Sequence, residues 1–141
     1  IWLIFIGEGK LRTEMETYIG KHQLKNVILT GFVNQTQISE YYTIGDVFVM
    51  CSSIGETWGL SVNEAMNFDL PLILSDLTGS SSDLVVEGEN GYVFPTGDVE
   101  MLSARLDDIL IKDSLKLNET SSDIVKKYSF SAIADGLRSL L

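Results

Sequence analysis

The stretch DVFVMCSSIGETWGLSVNEAMNFDLPLIL, residues 46–74, decides the fold. Residues 46–50 are a short apolar run rich in β-branched and aromatic side chains, which reads as a buried strand ending near Cys51. A polar loop containing two glycines follows. Residues 60–68 predict a helix, and Pro71 stops it before a second buried strand, Leu72-Ile73-Leu74. Strand, helix and strand in about 30 residues make a βαβ unit, whose two strands run parallel.

The same alternation extends outward in both directions. Residues 2–6 predict a buried strand, and Gly7-Glu8-Gly9 a tight turn. Leu11, Met15, Tyr18 and Ile19 then share one face of a helix ending near His22. Residues 26–30 predict another strand, closed by Gly31-Phe32-Val33. A helix over 35–43 follows, with Ile38, Tyr41 and Tyr42 as its apolar stripe. Beyond residue 74, a Gly/Ser-rich loop at 78–82 leads to a short helix over 84–87. A last strand covers 91–94, and a helical region runs from about Met101 to Leu141. No repeat, linker or domain boundary interrupts the chain. The class is α/β, a Rossmann-like parallel sheet with helices on both faces. Ligands of such sheets bind beyond the carboxyl ends of the strands, here the loops at 7–10, 31–34, 51–59 and 75–82.

Composition narrows the partners. Twenty acidic against ten basic residues give a formal net charge of −10, which repels nucleic-acid phosphates and anionic membrane surfaces. A small phosphorylated ligand remains compatible, because backbone N–H groups hold an anion locally. One cysteine, Cys51, forms no internal disulfide, and one histidine with one cysteine falls short of an ordinary zinc site. The longest apolar runs are far below the roughly 20 residues of a membrane span. These features predict a cytoplasmic domain without direct membrane insertion. The chain opens directly on a strand-like run, which predicts a fragment of a longer protein.

Residues 56–66, Glu-Thr-Trp-Gly-Leu-Ser-Val-Asn-Glu-Ala-Met, concentrate the chemistry. The N–H groups of Trp58, Gly59 and Leu60 enter a helix without partners in a preceding turn, so they point outward with the helix dipole behind them. Gly59 leaves room for a ligand to approach the backbone. Glu56 precedes the helix and Glu64 lies one turn inside it, so both carboxylates can face one crevice. Each hydrogen bond from a ribose hydroxyl to a carboxylate is worth roughly 1.5–3 kcal/mol. A structural alternative stands beside this: Ser61-Val62-Asn63-Glu64 fits a capping box, in which the glutamate bonds back to the helix start.

Glu56 and Glu64, within E-T-W-G-L-x-x-x-E-A-M, resemble the E-x7-E signature of retaining glycosyltransferases of the GT-B fold, nearest to family four. Gly7-Glu8-Gly9, residues 26–33, Gly45-Asp46-Val47, Pro71-Leu72-Ile73 and Glu89-Asn90-Gly91 are further landmarks in the family's order. The resemblance covers nearly all of residues 1–141 and implies a C-terminal nucleotide-sugar-binding domain. It implies that Glu64 holds the ribose hydroxyls, that Glu56 acts as the catalytic contact to the donor sugar, and that Gly59 and Leu60 bind the diphosphate. Backbone around Phe32 and Val33 would border the base, and Gly7 and Gly9 would line the crevice. The donor would be a UDP- or GDP-sugar, with no cofactor and no metal. The acceptor, a glycan or glycolipid, would bind an N-terminal domain absent from this chain, and the full-length protein could be peripheral at a membrane.

Departures are specific. The strand–helix unit that carries a diphosphate-neutralising Arg and Lys is absent. Asp69 stands where glycine is usual, and Asp83 lies near an expected glutamate without an assigned role. A non-catalytic nucleotide-sugar-binding subunit or regulator, and a nucleotide-sugar epimerase domain, are the competing readings. His22 reads as a solvated helix-end cation and Cys51 as a small buried residue. Trp58 reads either as a stacking platform or as packing.

Overall fold

The computed structural model describes residues 1–54, 56–115 and 120–139. In chain order it contains β1 (Leu3–Phe5), α1 (Arg12–His22), β2 (Val27–Leu29), α2 (Ile38–Ile44), β3 (Phe48–Met50), α3 (Leu60–Met66), β4 (Leu72–Ser75), α4 (Ser81–Leu84), β5 (Gly91–Phe94), α5 (Val99–Leu110), α6 (Ser121–Lys126) and α7 (Phe130–Arg138). The chain packs as two compact units, Ile1–Tyr41 and Tyr42–Leu141. The sequence shows no linker here, and the division falls inside α2.

In the first unit β1 pairs with β2 in parallel, Leu3 opposite Val27 and Phe5 opposite Leu29. The expected burial of this strand is not found: Trp2, Leu3, Phe5 and Ile6 are all exposed, Trp2 by 65%. Two strands and α1, which buries no residue, are too little to cover both faces of a sheet. The α1 helix ends as its pattern predicts. Gln23 turns left-handed at φ 52°, and its N–H and that of Leu24 close onto Gly20 and Ile19.

The second unit holds the core. Here β4 lies between β3 and β5, with every pairing parallel. All four β4 residues are buried, and fully burying an aliphatic side chain contributes roughly 1.5–3 kcal/mol. Because side chains alternate across a strand, Leu72 and Leu74 share one face, where they pack with Val62 and Met66 of α3, Leu84 of α4, and Ile124 and Val125 of α6. The opposite face carries Ile73 beside Tyr92. There Arg105 of α5 lies 4.4 Å above the Tyr92 ring. Helices therefore cover both faces.

Asp69 adopts the left-handed conformation expected of the residue that replaces glycine, at φ 61°. Its carboxylate also accepts the Ser122 N–H at the start of α6, 3.0 Å away. The short helix predicted over 84–87 is found three residues earlier. Val85 is extended, and the Asn90 side chain takes the Val86 N–H at 2.7 Å, which draws the two valines out of the helix. The helical C-terminal region is three helices, each opened by an oxygen cap: Asp98 on Met101, Thr120 on Asp123 and Ser129 on Ala132. Residues 116–119 and 140–141 of that predicted region lie outside the described residues.

The Glu89-Asn90-Gly91 landmark has a structural explanation. Asn90 is fully buried and binds the Val86 N–H, the Leu84 carbonyl and the Ser121 hydroxyl, while Ser121 donates to the Leu70 carbonyl. A side chain on Gly91 would place its Cβ 2.1 Å from the Leu72 carbonyl oxygen. Replacing Asn90 with Ala leaves the buried Leu84 carbonyl and the part-buried Val86 N–H without this partner, at about 1–3 kcal/mol for a fully buried group. Urea unfolding of Asn90→Ala should therefore show a loss of about 2–4 kcal/mol; a midpoint matching the parent chain contradicts the assignment of Asn90 as a hub.

Candidate nucleotide-sugar site

The β3 strand delivers the chain into the loop at 51–59, and the neighbouring strand ends hold that loop. The Ser75 hydroxyl donates to the Ser52 carbonyl at 2.8 Å and shares a bond with the Thr78 hydroxyl. Thr96, after β5, reaches the same carbonyl and also binds Asp76 through its hydroxyl and its N–H. Further along, the Gly79 N–H donates to the Glu56 carbonyl at 2.9 Å, and the Ser80 N–H to the Trp58 carbonyl at 3.2 Å. The two backbones touch directly, since a Cβ on Gly79 would lie 2.1 Å from the Thr57 oxygen. The loop bearing Glu56 thus rests on residues 78–80.

Gly59 enters α3 at φ 86°. A Cβ there would meet Met50 Sδ at 3.2 Å and Val62 Cγ2 at 3.3 Å. Glycine serves the left-handed turn and the packing beneath it. Among the described residues, no hydrogen bond runs from the backbone N–H of Trp58, Gly59 or Leu60, and the Leu60 side chain is exposed. The Trp58 ring packs against the core cluster and tilts onto Tyr128 at 5.6 Å, and its Nε1 donates to Asn63 Oδ1 at 2.7 Å. Of its two readings, packing matches this geometry.

The capping box does not form. Because α3 already begins at Leu60, Ser61 lies within the helix, and no side-chain bond caps it. Glu64 turns elsewhere: its Oε2 accepts the Tyr42 hydroxyl at 3.0 Å. Tyr42, only 5% exposed, stacks on Phe68 at 5.5 Å and tilts against Phe48. Burial, and then the bond and charge of Glu64, push the phenol above its ordinary range. Sequence reasoning took Tyr42 only as apolar cover. The overlooked signal was that a buried tyrosine still needs a partner for its hydroxyl. Glu56 and Glu64 are both half-buried.

In the first unit the Gly7 N–H donates to the Gly31 carbonyl at 3.0 Å, with Gly7 at φ 127° and Gly31 at φ 73°. That bond brings the turn at 7–9 beside residues 31–33. Phe32 is 82% exposed and Val33 half-buried. Ile6, Gly7, Glu8, Gly9 and Arg12 line an open groove, where Arg12 pairs with Glu8 and Glu16, each at 2.8 Å. Cys51 is exposed, contrary to the buried position expected for it, and partial desolvation pushes its thiol pKa up. His22 stacks on Tyr18 at the end of α1. Among the described residues no cluster of three or more His, Cys, Asp or Glu is arranged to hold a metal. No helix there is long and apolar enough to cross a membrane.

Residues 1–140 match the family described as Glycosyl transferases group 1. The chain belongs to this family. Sulfoquinovosyl transferase SQD2 of Arabidopsis thaliana is 30% identical over 141 residues, covering 96% of this chain and 27% of that protein. The chain spans about a quarter to two fifths of the length of the first curated relatives it matches. Its fold resembles sucrose-phosphate synthase from Thermosynechococcus elongatus with a TM-score of 0.80, at 23% identity over 98% of this chain and 37% of that one. It also resembles the pneumococcal O-GlcNAc transferase GtfA, solved with UDP and GlcNAc, with a TM-score of 0.78, at 21% identity over 99% of this chain and 29% of that one.

Two outcomes test this geometry. Gly79→Ala must separate the backbones at 56–57 and 78–80, so it should cost about 2–4 kcal/mol in urea unfolding and shift the amide resonances of residues 56–60. Unshifted resonances there contradict the contact. The Tyr42 phenol, raised in the folded state, contributes stability that is complete below the unfolded value near 10 and is lost as pH climbs above it. Tyr42→Phe should remove that part of the alkaline decline; identical stability–pH curves above pH 10 contradict the shift.

Proposed function

We propose that the chain is the C-terminal donor-binding domain of a retaining, family-four GT-B glycosyltransferase that moves a sugar from a UDP- or GDP-sugar to a glycan or glycolipid acceptor. The observation that carries this reading is the pair Glu56 and Glu64 on the loop and helix that follow β3, with backbone N–H groups at the start of α3 that make no hydrogen bond among the described residues lying between them in sequence. Glu64 takes the ribose hydroxyls of the donor. Glu56 contacts the transferred sugar and is the catalytic residue of this half. The N–H groups of Trp58, Gly59 and Leu60 receive the diphosphate, Trp58 through its backbone because its ring is committed to packing. In the first unit, Gly7 and Gly9 line the donor's path and the backbone at Phe32 and Val33 borders the base.

No metal or cofactor takes part in this reading. The acceptor binds an N-terminal domain of a longer, cytoplasmic protein that can sit peripherally at a membrane. The chain alone is inactive as a transferase and binds donor weakly, because the cationic strand–helix unit and the closing domain lie outside it. That the similar GtfA structure holds UDP and GlcNAc supports UDP as the first nucleotide to try.

The test is an amide-resolved NMR titration with UDP, GDP and ADP at millimolar concentration. Shifts should cluster at residues 7–9, 31–33 and 58–64, strongest for the donor's own base. Glu64→Ala should weaken that nucleotide by about tenfold or more, the value of a charge-assisted hydrogen bond. Unchanged binding by Glu64→Ala removes the ribose role, and shifts confined elsewhere remove the site.

A further inference from the structure

Tyr42 stands outside the E-x7-E pair, on a different element, and its hydroxyl donates to Glu64 Oε2 at 3.0 Å. Its ring is held between two others. It is 5% exposed, stacked on Phe68 with 29° between the planes, and tilted at 54° against Phe48. Phe48 belongs to β3 and Phe68 follows α3, so the ring is fixed by the same strand and helix that flank the loop at 51–59. The phenol keeps its proton far above neutral pH, since burial and Glu64 both raise its pKa. At working pH it can therefore only donate to the carboxylate.

We propose that Tyr42 is a positioning residue for donor binding: its buried hydroxyl, at 3.0 Å from Glu64 Oε2, fixes the rotation of that carboxylate so that it meets a ribose diol in the right plane. This rests on the reading of Glu64 as the ribose ligand. A carboxylate has about four lone-pair sites, so accepting from Tyr42 does not exhaust its capacity for hydroxyls. A glutamate has three rotatable side-chain bonds, and its last torsion is broad and poorly held by intrinsic preference. Fixing it before the ligand arrives removes an ordering cost from binding. Tyr42 does not touch the donor in this scheme. Its effect is transmitted through Glu64 alone, which makes it separable from a general packing role.

The experiment uses the 141-residue chain and follows UDP and its 2′,3′-dideoxy analogue by amide NMR in the parent, Tyr42→Phe, Glu64→Ala and the double variant. Phenylalanine keeps the ring on Phe68 and Phe48, so the variant retains the fold, which its own amide spectrum verifies. Tyr42→Phe should weaken UDP by about three- to tenfold, leave the dideoxy analogue unchanged, and add nothing to Glu64→Ala. Parent-like UDP binding by Tyr42→Phe overturns the proposal, as do losses that multiply in the double variant. An equal loss for both nucleotides overturns it too, since it marks a packing effect only. Parent-like binding by Glu64→Ala instead overturns the ribose reading itself, and no UDP shifts in the parent chain overturn both.

Discussion

The second unit depends on the close approach of backbone to backbone along β4. This strand is buried at every position and paired on both sides, so nothing flexible separates it from its surroundings. Its partner β5 comes so near at Gly91 that no side chain fits against the Leu72 carbonyl. Just past its carboxyl end, Gly79 makes the same kind of contact with the oxygens of Glu56 and Thr57. Contacts between backbone atoms lack the rotamer freedom of side-chain contacts. Residues 56–58 of the loop after β3 are therefore held against the end of the sheet by backbone contacts.

Side-chain hydroxyls complete that transfer. Ser75 and Thr96 both reach the Ser52 carbonyl, and buried Thr78 bonds the hydroxyl of buried Ser75 behind it. Asp76 holds Thr96 in turn, and that bonding draws its carboxyl pKa down. Three adjacent strand ends are joined in this way to one loop. In an α/β sheet this is where ligands are expected.

Strands and helices of the second unit were legible because burial on both faces writes a continuous apolar run, as at Leu72-Ile73-Leu74, and Pro71 punctuates it. The left-handed turn at Asp69 was legible for a similar reason, since few residues tolerate that conformation. What escaped the sequence depended on neighbours distant along the chain. Val85 and Val86 leave the helical pattern because Asn90 claims a backbone donor, which no local pattern reveals. The apolar run of β1 promised burial, but burial depends on what covers a strand, and α1 covers little. Ser61 to Glu64 has the spacing of a capping box, yet the helix begins two residues too early for Ser61 to cap it, and Glu64 finds Tyr42, 22 positions away.

The two glutamates of the candidate site are supported by opposite means. Glu56 is held through its backbone: its carbonyl is pinned by Gly79, while among the described residues no hydrogen bond or ion pair reaches its carboxylate. Glu64 sits on a regular helix whose backbone would hold any residue, and its carboxylate is fixed by a buried phenol. A group that must recognise a rigid diol gains from a fixed carboxylate. A group that must follow a sugar through a changing geometry gains from a fixed Cα and a side chain able to turn. The difference in support parallels the difference in proposed roles, and it is visible only when the backbone contacts at Gly79 and the side-chain bond at Tyr42 are considered together.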